Sequence, residues 1–233
     1  MVRENAWKKY DAKQREEIEA FCEDYKSFLT ACKTERECVA QLAAQAQACG
    51  FRPLEDVMRE KKAPAPGDKI YAQAMGKTIV LFQIGTEPIE EGMNLLGAHI
   101  DSPRLDLKQN PLYEDGDLAM LETHYYGGVK KYQWVALPLA LHGVVVKKDG
   151  TCVQVVLGED PADPVVGVSD LLIHLSGTQM EKKASKVIEG EDMNILFGSI
   201  PLEGEEKEPV KKQILGLLEE KYGIEEEDFL SAE

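Results

Sequence analysis

Apolar residues in the first fifty positions follow the spacing of helices. One set recurs every three or four residues and predicts a first amphipathic helix: Ile18, Phe21, Tyr25 and Phe28. A second helix is expected to begin at the capping box Thr34-Glu35-Arg36-Glu37, where the Thr34 hydroxyl accepts from the Glu37 N–H and the Glu37 side chain reaches back. This helix runs through Leu42 and ends near Gly50, which suits a left-handed cap.

Strand-like runs follow a loop at Pro64-Ala65-Pro66-Gly67. Residues 70–72 and 78–82 are predicted to be strands joined around Gly76. The apolar run at 94–100 is predicted to form a third strand. Helical and strand-like patterns thus succeed each other within one region, which indicates an α/β fold.

Beyond Pro103 the pattern changes to short strands and turns. Residues 139–146 and 152–157 flank Asp149-Gly150, a strong signal for a β-hairpin. This part of the chain is therefore expected to be rich in β-structure.

The last thirty residues predict a helix at 206–222, with Pro209 in its first turn and Gly223 after it. Its inward face is expected to hold four apolar residues: Val210, Ile214, Leu217 and Leu218. Residues 228–233 resemble the beginning of a strand, whereas a natural terminus usually frays in polar residues. We therefore expect the chain to be interrupted there.

Size and charge limit the classes of function. A chain of 233 residues with 43% apolar content can form one large domain or two small ones. The net charge of −15 argues against nucleic acid as a partner, since nucleic acid selects a basic face, and against an anionic membrane surface. No apolar run approaches the length of a membrane span.

The cysteines and the first residues bear on the compartment. None of the five cysteines belongs to a Cys-x-x-Cys pair, which favours reduced thiols over a zinc site or disulfides. The segment Met1-Val2-Arg3-Glu4-Asn5 does not resemble the start of a signal peptide. Both features predict a cytoplasmic protein.

The densest group of reactive residues is His99-Ile100-Asp101-Ser102-Pro103, directly after the apolar run at 93–98. In a strand, His99 and Asp101 would project to one face, so the imidazole could bind a cation while the carboxylate orients it. Pro103 would end the strand and leave both at its carboxyl end, where open sheets bind ligands. The alternative is a structural role, which is the commoner fate of a His-x-Asp pair.

Three further histidines are weaker candidates. His142 lies in an apolar run and is interpreted as a core or surface residue, whereas His124, before Tyr125-Tyr126-Gly127-Gly128, favours neither a ligand contact nor a structural role. His174 lies in the apolar stretch 170–175, a pattern that by itself favours the core. No His-Glu-x-x-His, phosphate loop or nucleophile elbow occurs, so the residues alone provide one good metal ligand and no complete site.

Two motifs make the chain resemble a known family: Gly97-Ala98-His99-Ile100-Asp101-Ser102-Pro103-Arg104-Leu105 and Thr123-His124-Tyr125-Tyr126-Gly127-Gly128. At both, the chain is similar to the aspartyl aminopeptidases, zinc peptidases whose family includes vacuolar aminopeptidase I, and in particular to the bacterial members. The resemblance extends from Asn5-Ala6-Trp7 to the last residues of the chain.

This resemblance implies an α/β metallopeptidase domain that is interrupted by a β-rich dimerisation domain. Residues 1–105 would form the first, incomplete part of the catalytic domain, and residues 106–233 the inserted dimerisation domain. It also implies cytosolic or vacuolar enzymes that act on peptides, form homodimers and assemble into dodecamers.

The resemblance assigns roles to three residues. His99 matches the family's first zinc ligand, and Asp101 matches the carboxylate of the catalytic site that orients it. His174 matches a dimerisation-domain histidine that contacts substrate in the neighbouring subunit's active site, which reverses the core interpretation. The family's other ligands and its general base have no matching positions in these 233 residues.

The implied reaction is removal of amino-terminal residues from peptides. Two zinc ions per complete site, with Co²⁺ or Mn²⁺ as substitutes, would polarise the carbonyl and activate a water, and a glutamate would move its proton. This chain would carry only part of that site. The alternative is a non-catalytic dimerisation module derived from such an enzyme, which a stop codon after Glu233 would favour.

Overall fold

The computed structural model describes residues 3–233, so Met1 and Val2 of the segment compared with a signal peptide lie outside the described residues. The chain divides after Ser102 into two compact units. In the first, the helices and strands are α1 (Ala12–Ala31), α2 (Glu35–Ala48), β1 (Arg52–Pro53), α3 (Leu54–Arg59), β2 (Lys69–Ala74) and β3 (Thr78–Gln83). In the second they are β4 (Arg104–Asp115), β5 (Leu118–Tyr126), β6 (Leu141–Val146), β7 (Cys152–Leu157), α4 (Gly177–Met180), β8 (Ile195–Gly198) and α5 (Pro209–Tyr222).

The predicted capping box at the start of α2 is confirmed. The Thr34 hydroxyl accepts from the Glu37 N–H at 3.3 Å, and the Glu37 carboxylate accepts from the Thr34 N–H at 3.0 Å. Gly50 follows the helix with a φ of +84°, the left-handed conformation that glycine adopts without strain. These two local signals therefore fix both ends of α2.

A small sheet supports α2 in the first unit. Its order is β1-β2-β3, with β1 parallel and β3 antiparallel to β2, and the predicted turn at Gly76 joins β2 to β3. Ala43 and Ala46 of α2 pack against Tyr71 of β2, whose hydroxyl accepts from Gln47 Nε2 at 2.6 Å. Small residues on the helix thus allow it to lie close to the sheet.

The second unit contains the larger core. Its strands form the antiparallel sheet β4-β5-β8 and the predicted hairpin β6-β7. On α5, Val210, Ile214 and Leu218 are buried and join the core, while Leu217 is partly buried against it. The helix begins with Pro209, three residues later than predicted, and Gly223 follows it at a φ of +63°. Its end at Tyr222 and the place of Pro209 in its first turn are confirmed.

The predicted strand at 94–100 is wrong. Residues 94–100 lie in an irregular segment, and Leu95 and Leu96 are 85% and 98% exposed. A strand needs a neighbour to pair its backbone groups, and no strand among residues 3–233 pairs with this run. The strand beginning expected at 228–233 is confirmed only at its last residues. A 3-10 helix occupies Glu226–Ser231, and Ala232 then forms an isolated antiparallel bridge with Val145 of β6.

No helix in the described part of the chain is both long enough and apolar enough to cross a membrane.

Truncation of the core of the second unit should be costly. Leu157 at the end of β7 is 0% exposed and belongs to the main apolar cluster. We expect Leu157→Ala to lower the free energy of unfolding by about 2–5 kcal/mol, because methyl groups are lost and a cavity is left. Chemical denaturation measures this. The matched control is Leu230→Ala, at a leucine that is 59% exposed, where a change of about 0.5 kcal/mol or less is expected. Equal losses in the two variants would contradict the assigned core.

Candidate metal centre at His99 and Asp101

The candidate ligand His99 lies in a segment without regular secondary structure. No residue from Gly92 to Pro103 belongs to a helix or a strand. Residues 92–99 are exposed, whereas Ile100 and Asp101 are half-buried. Burial within the segment therefore begins at Ile100, directly after His99.

Despite the missing strand, the structure brings His99 and Asp101 together. His99 Nδ1 lies 3.1 Å from Asp101 Oδ1 and 3.0 Å from the Asp101 carbonyl oxygen. An N–H on Nδ1 donates to these oxygens, which fixes the tautomer and leaves the Nε2 lone pair available. The His99 side chain is 85% exposed, so Nε2 is accessible to an incoming ion.

This pair has the donor chemistry of a zinc ligand with its orienting carboxylate. Histidines that bind metals usually donate their other ring N–H to a carboxylate or carbonyl, which aims the ring and raises its basicity. Within residues 3–233, no group of three or more His, Cys, Asp or Glu side chains could hold a metal ion. The pair therefore fits one ligand position of a zinc site, and the described residues do not supply a complete ligand set.

The histidines of the second unit occupy different settings. His142 Nε2 lies 3.1 Å from Glu159 Oε1, and the side chain of His142 is 12% exposed. His124 stacks on Tyr125 and lies 3.5 Å from Glu191, whose pKa is lowered first by Lys108 and to a smaller extent by His124. Each of these two imidazoles thus lies beside a carboxylate of its own unit.

His174 is not a core residue, so the interpretation from its apolar neighbours alone is wrong. It lies in an exposed turn before α4. The surrounding side chains are exposed as well, with Leu172 57%, Ile173 69% and Leu175 66% accessible. An apolar turn with this exposure is typical of a surface that contacts another protein.

One residue near the candidate centre has no signal in the sequence. The Cys38 thiol of α2 donates to the carbonyl oxygen of Ile100 at 3.7 Å, across 62 positions of the chain. Cysteine is a small apolar residue in most cores, so its position in α2 predicts burial and nothing about this partner.

The family follows from a match over most of the chain. The model of the aminopeptidase I zinc metalloprotease (M18) family matches residues 28–233. The chain belongs to the M18 family. The match confirms the resemblance of the two motifs to a family of zinc peptidases.

Curated relatives of the chain are described as members of the same family. A protein from Clostridium acetobutylicum, described as a probable M18 family aminopeptidase 1, is 63% identical over 98% of this chain and 50% of its own length. Its counterpart of the same description from Thermotoga maritima is 45% identical over 100% of the chain and 49% of its own length. The chain thus spans about half the length of the curated relatives it matches.

Solved M18 structures confirm the fold class. The crystal structure of the M18 aminopeptidase from Thermotoga maritima matches with a TM-score of 0.90, covering 100% of this chain and 49% of that one, at 45% identity. Aminopeptidase I from Clostridium acetobutylicum matches with a TM-score of 0.86 and 59% identity, covering 100% of this chain and 52% of that one. The α/β architecture predicted from the sequence is therefore correct.

Proposed function

We propose that the complete M18 protein is a zinc aminopeptidase that removes amino-terminal residues from peptides, and that this chain supplies part of its active site. The main support is the His99–Asp101 pair, in which a carboxylate 3.1 Å from Nδ1 leaves Nε2 directed away for a metal. Family membership supports zinc as the ion. No observation favours a non-catalytic module, so we do not propose that alternative.

In this proposal, His99 would hold zinc through Nε2, and Asp101 would be its positioning residue. Two zinc ions in the complete site, replaceable by Co²⁺ or Mn²⁺, would polarise the scissile carbonyl and make a water more acidic. The Asp101 carboxylate accepts a hydrogen bond from the Nδ1 N–H, which favours the tautomer with a free Nε2 lone pair and restricts rotation of the ring. The family's remaining ligands and its general base have no matching positions among these 233 residues.

His174 is proposed to contact substrate in a neighbouring subunit. Its turn exposes Leu172, Ile173 and Leu175, and such a surface would be stabilised by burial at an interface. We propose a homodimer on this basis and from the resemblance, with dodecamers as the complete assembly. The histidine would reach the partner's substrate while the leucines bury apolar area.

The domain assignment is part of the same proposal. Residues 1–105 are the first part of the catalytic domain, and residues 106–233 are the inserted dimerisation domain. The division of the chain after Ser102 supports a boundary at this place. The free thiols of all five cysteines are consistent with the proposed cytoplasmic location.

The isolated chain of 233 residues should show no measurable aminopeptidase activity and should bind zinc weakly. A catalytic zinc needs about three protein ligands, and the described residues contain no group of three His, Cys, Asp or Glu side chains that could hold a metal ion. Hydrolysis of amino-acid amides with added zinc or cobalt, together with zinc titration, measures both properties. The complete protein is the positive control. Robust turnover by the isolated chain that disappears in His99→Ala would show that these residues hold a complete site.

A further inference from the structure

The backbone between His99 and Asp101 has a specific anchor. The exposed run of residues 92–99 becomes half-buried at Ile100. At this point the Ile100 carbonyl oxygen lies 3.7 Å from Cys38 Sγ. The contact therefore reaches the peptide that joins the candidate zinc ligand to its orienting carboxylate.

Cys38 is itself held firmly. It lies in the first turn of α2, where its N–H donates to the Thr34 carbonyl oxygen at 3.0 Å, and it is 6% exposed. The capping box of Thr34 and Glu37 fixes the geometry of this turn. A donor on such a turn has little freedom to follow a moving partner, so it can define the position of the Ile100 carbonyl.

The thiol is in its donating form at neutral pH. Burial is the largest cause that raises the pKa of Cys38, and burial also raises the pKa of the neighbouring Cys32 to about 11. Both sulfurs therefore keep their protons, and Cys38 is a weak but constant S–H donor. A buried thiol of this kind is typical of a structural contact rather than a nucleophile.

We propose that Cys38 is a positioning residue for the zinc-binding segment, which donates to the Ile100 carbonyl and thereby holds His99 and Asp101 in the geometry that directs Nε2 to the metal. This inference rests on the proposed zinc site. Both hydrogen bonds from His99 Nδ1 end on Asp101, one on its carbonyl and one on its carboxylate. Their lengths depend on the backbone torsions at residues 99–101, which the Cys38 contact restrains.

The test uses the complete M18 protein with three substitutions at Cys38. Cys38→Val keeps an apolar side chain of similar size but removes the hydrogen-bond donor. Cys38→Ala removes the donor and most of the side-chain volume. Cys38→Ser keeps a donor, because the hydroxyl replaces the thiol. Zinc affinity is measured by competition with a chelator, and the absorption spectrum of the cobalt-substituted protein reports the ligand geometry. We expect Cys38→Val and Cys38→Ala to weaken zinc binding about tenfold, near the lower limit for partners that orient a metal ligand, and Cys38→Ser to recover most of the affinity.

Two control variants separate positioning from general stability. Val39, the next residue on α2, is 1% exposed, so Val39→Ala should lower the thermal stability without changing zinc affinity or the cobalt spectrum. Cys49 is exposed, and Cys49→Ala controls for the loss of a thiol. If Val39→Ala weakens zinc binding as much as Cys38→Ala, the effect is a general one of the helix and the proposal is wrong.

The His99→Ala variant distinguishes failure of this inference from failure of the proposed function. If His99→Ala loses zinc while Cys38→Val binds zinc like the unaltered protein, the site is correct and Cys38 has no positioning role. If His99→Ala keeps its full zinc content, the zinc site itself is wrong and the inference fails with it. Loss of zinc affinity in both His99→Ala and Cys38→Val, with recovery in Cys38→Ser, supports both.

Discussion

In the complete M18 protein, His99→Ala is expected to remove zinc and to abolish aminopeptidase activity. The imidazole is the proposed zinc ligand, and its Nε2 is left available by the bonds from Nδ1 to Asp101. A catalytic zinc held by about three protein ligands cannot lose one without a large loss of affinity. Metal analysis of the purified variant and a rate assay with amino-acid amides measure the two effects.

Asp101→Asn tests the second half of the pair. The amide oxygen still accepts from Nδ1 but lacks the negative charge that strengthens this hydrogen bond, so the effect should be smaller, about 10–100-fold in zinc affinity or activity. His142→Gln is the matched control, since His142 is bound to Glu159 and lies far along the chain from the segment. For the His99→Ala prediction, full zinc occupancy of the variant would show that His99 is not a ligand.

His174→Ala in the complete protein should lower turnover strongly while leaving zinc content and thermal stability nearly unchanged. The side chain lies in an exposed turn, so its removal leaves no cavity within its own subunit. If the histidine contacts substrate across a dimer interface, its loss removes a contact to the reacting peptide alone. Comparing the rate, the zinc content and the melting temperature of the variant separates these effects.

A cross-subunit role for His174 has a second consequence. Subunits with His99→Ala and subunits with His174→Ala are both expected to be inactive alone. A hybrid dimer contains one site in which both histidines are intact, so mixing the two variants with subunit exchange should restore part of the activity. An inactive mixture in which hybrids are proven to form would place His174 within its own subunit's chemistry or in a structural role.

Features with local signals could be predicted from the sequence. The capping box at Thr34, the Asp149-Gly150 turn and the Pro209–Gly223 limits of α5 depend on residues within a few positions of each other. The signals for these features lie within short stretches of sequence, so the pattern predicts them without knowledge of distant contacts.

Features that depend on distant partners could not. The apolar run at 94–100 has the composition of a strand, but a strand also needs a neighbour, and none of the described residues provides one. The same limit hides the contact of Cys38 with Ile100, which are 62 positions apart. His174 is a second example. Its apolar neighbours predict burial, but apolar residues are suited both to a core and to an interface with another subunit, and here the turn is exposed.

The sequence predicts that His99 and Asp101 lie close together, which is correct, but the predicted cause is wrong. Strand alternation would place both side chains on one face, whereas the observed contact is a pair of hydrogen bonds within an irregular segment. Two residues that are separated by a single position can meet by either route. The two side chains therefore meet although residues 94–100 do not form a strand.

The most direct test of the proposed zinc site is a crystal structure of the complete M18 protein with anomalous data collected at the zinc edge. We expect an anomalous peak within zinc-coordination distance of His99 Nε2, with Asp101 hydrogen-bonded to Nδ1 of the same ring. Zinc bound elsewhere, with His99 Nε2 in contact with water or protein alone, would contradict it.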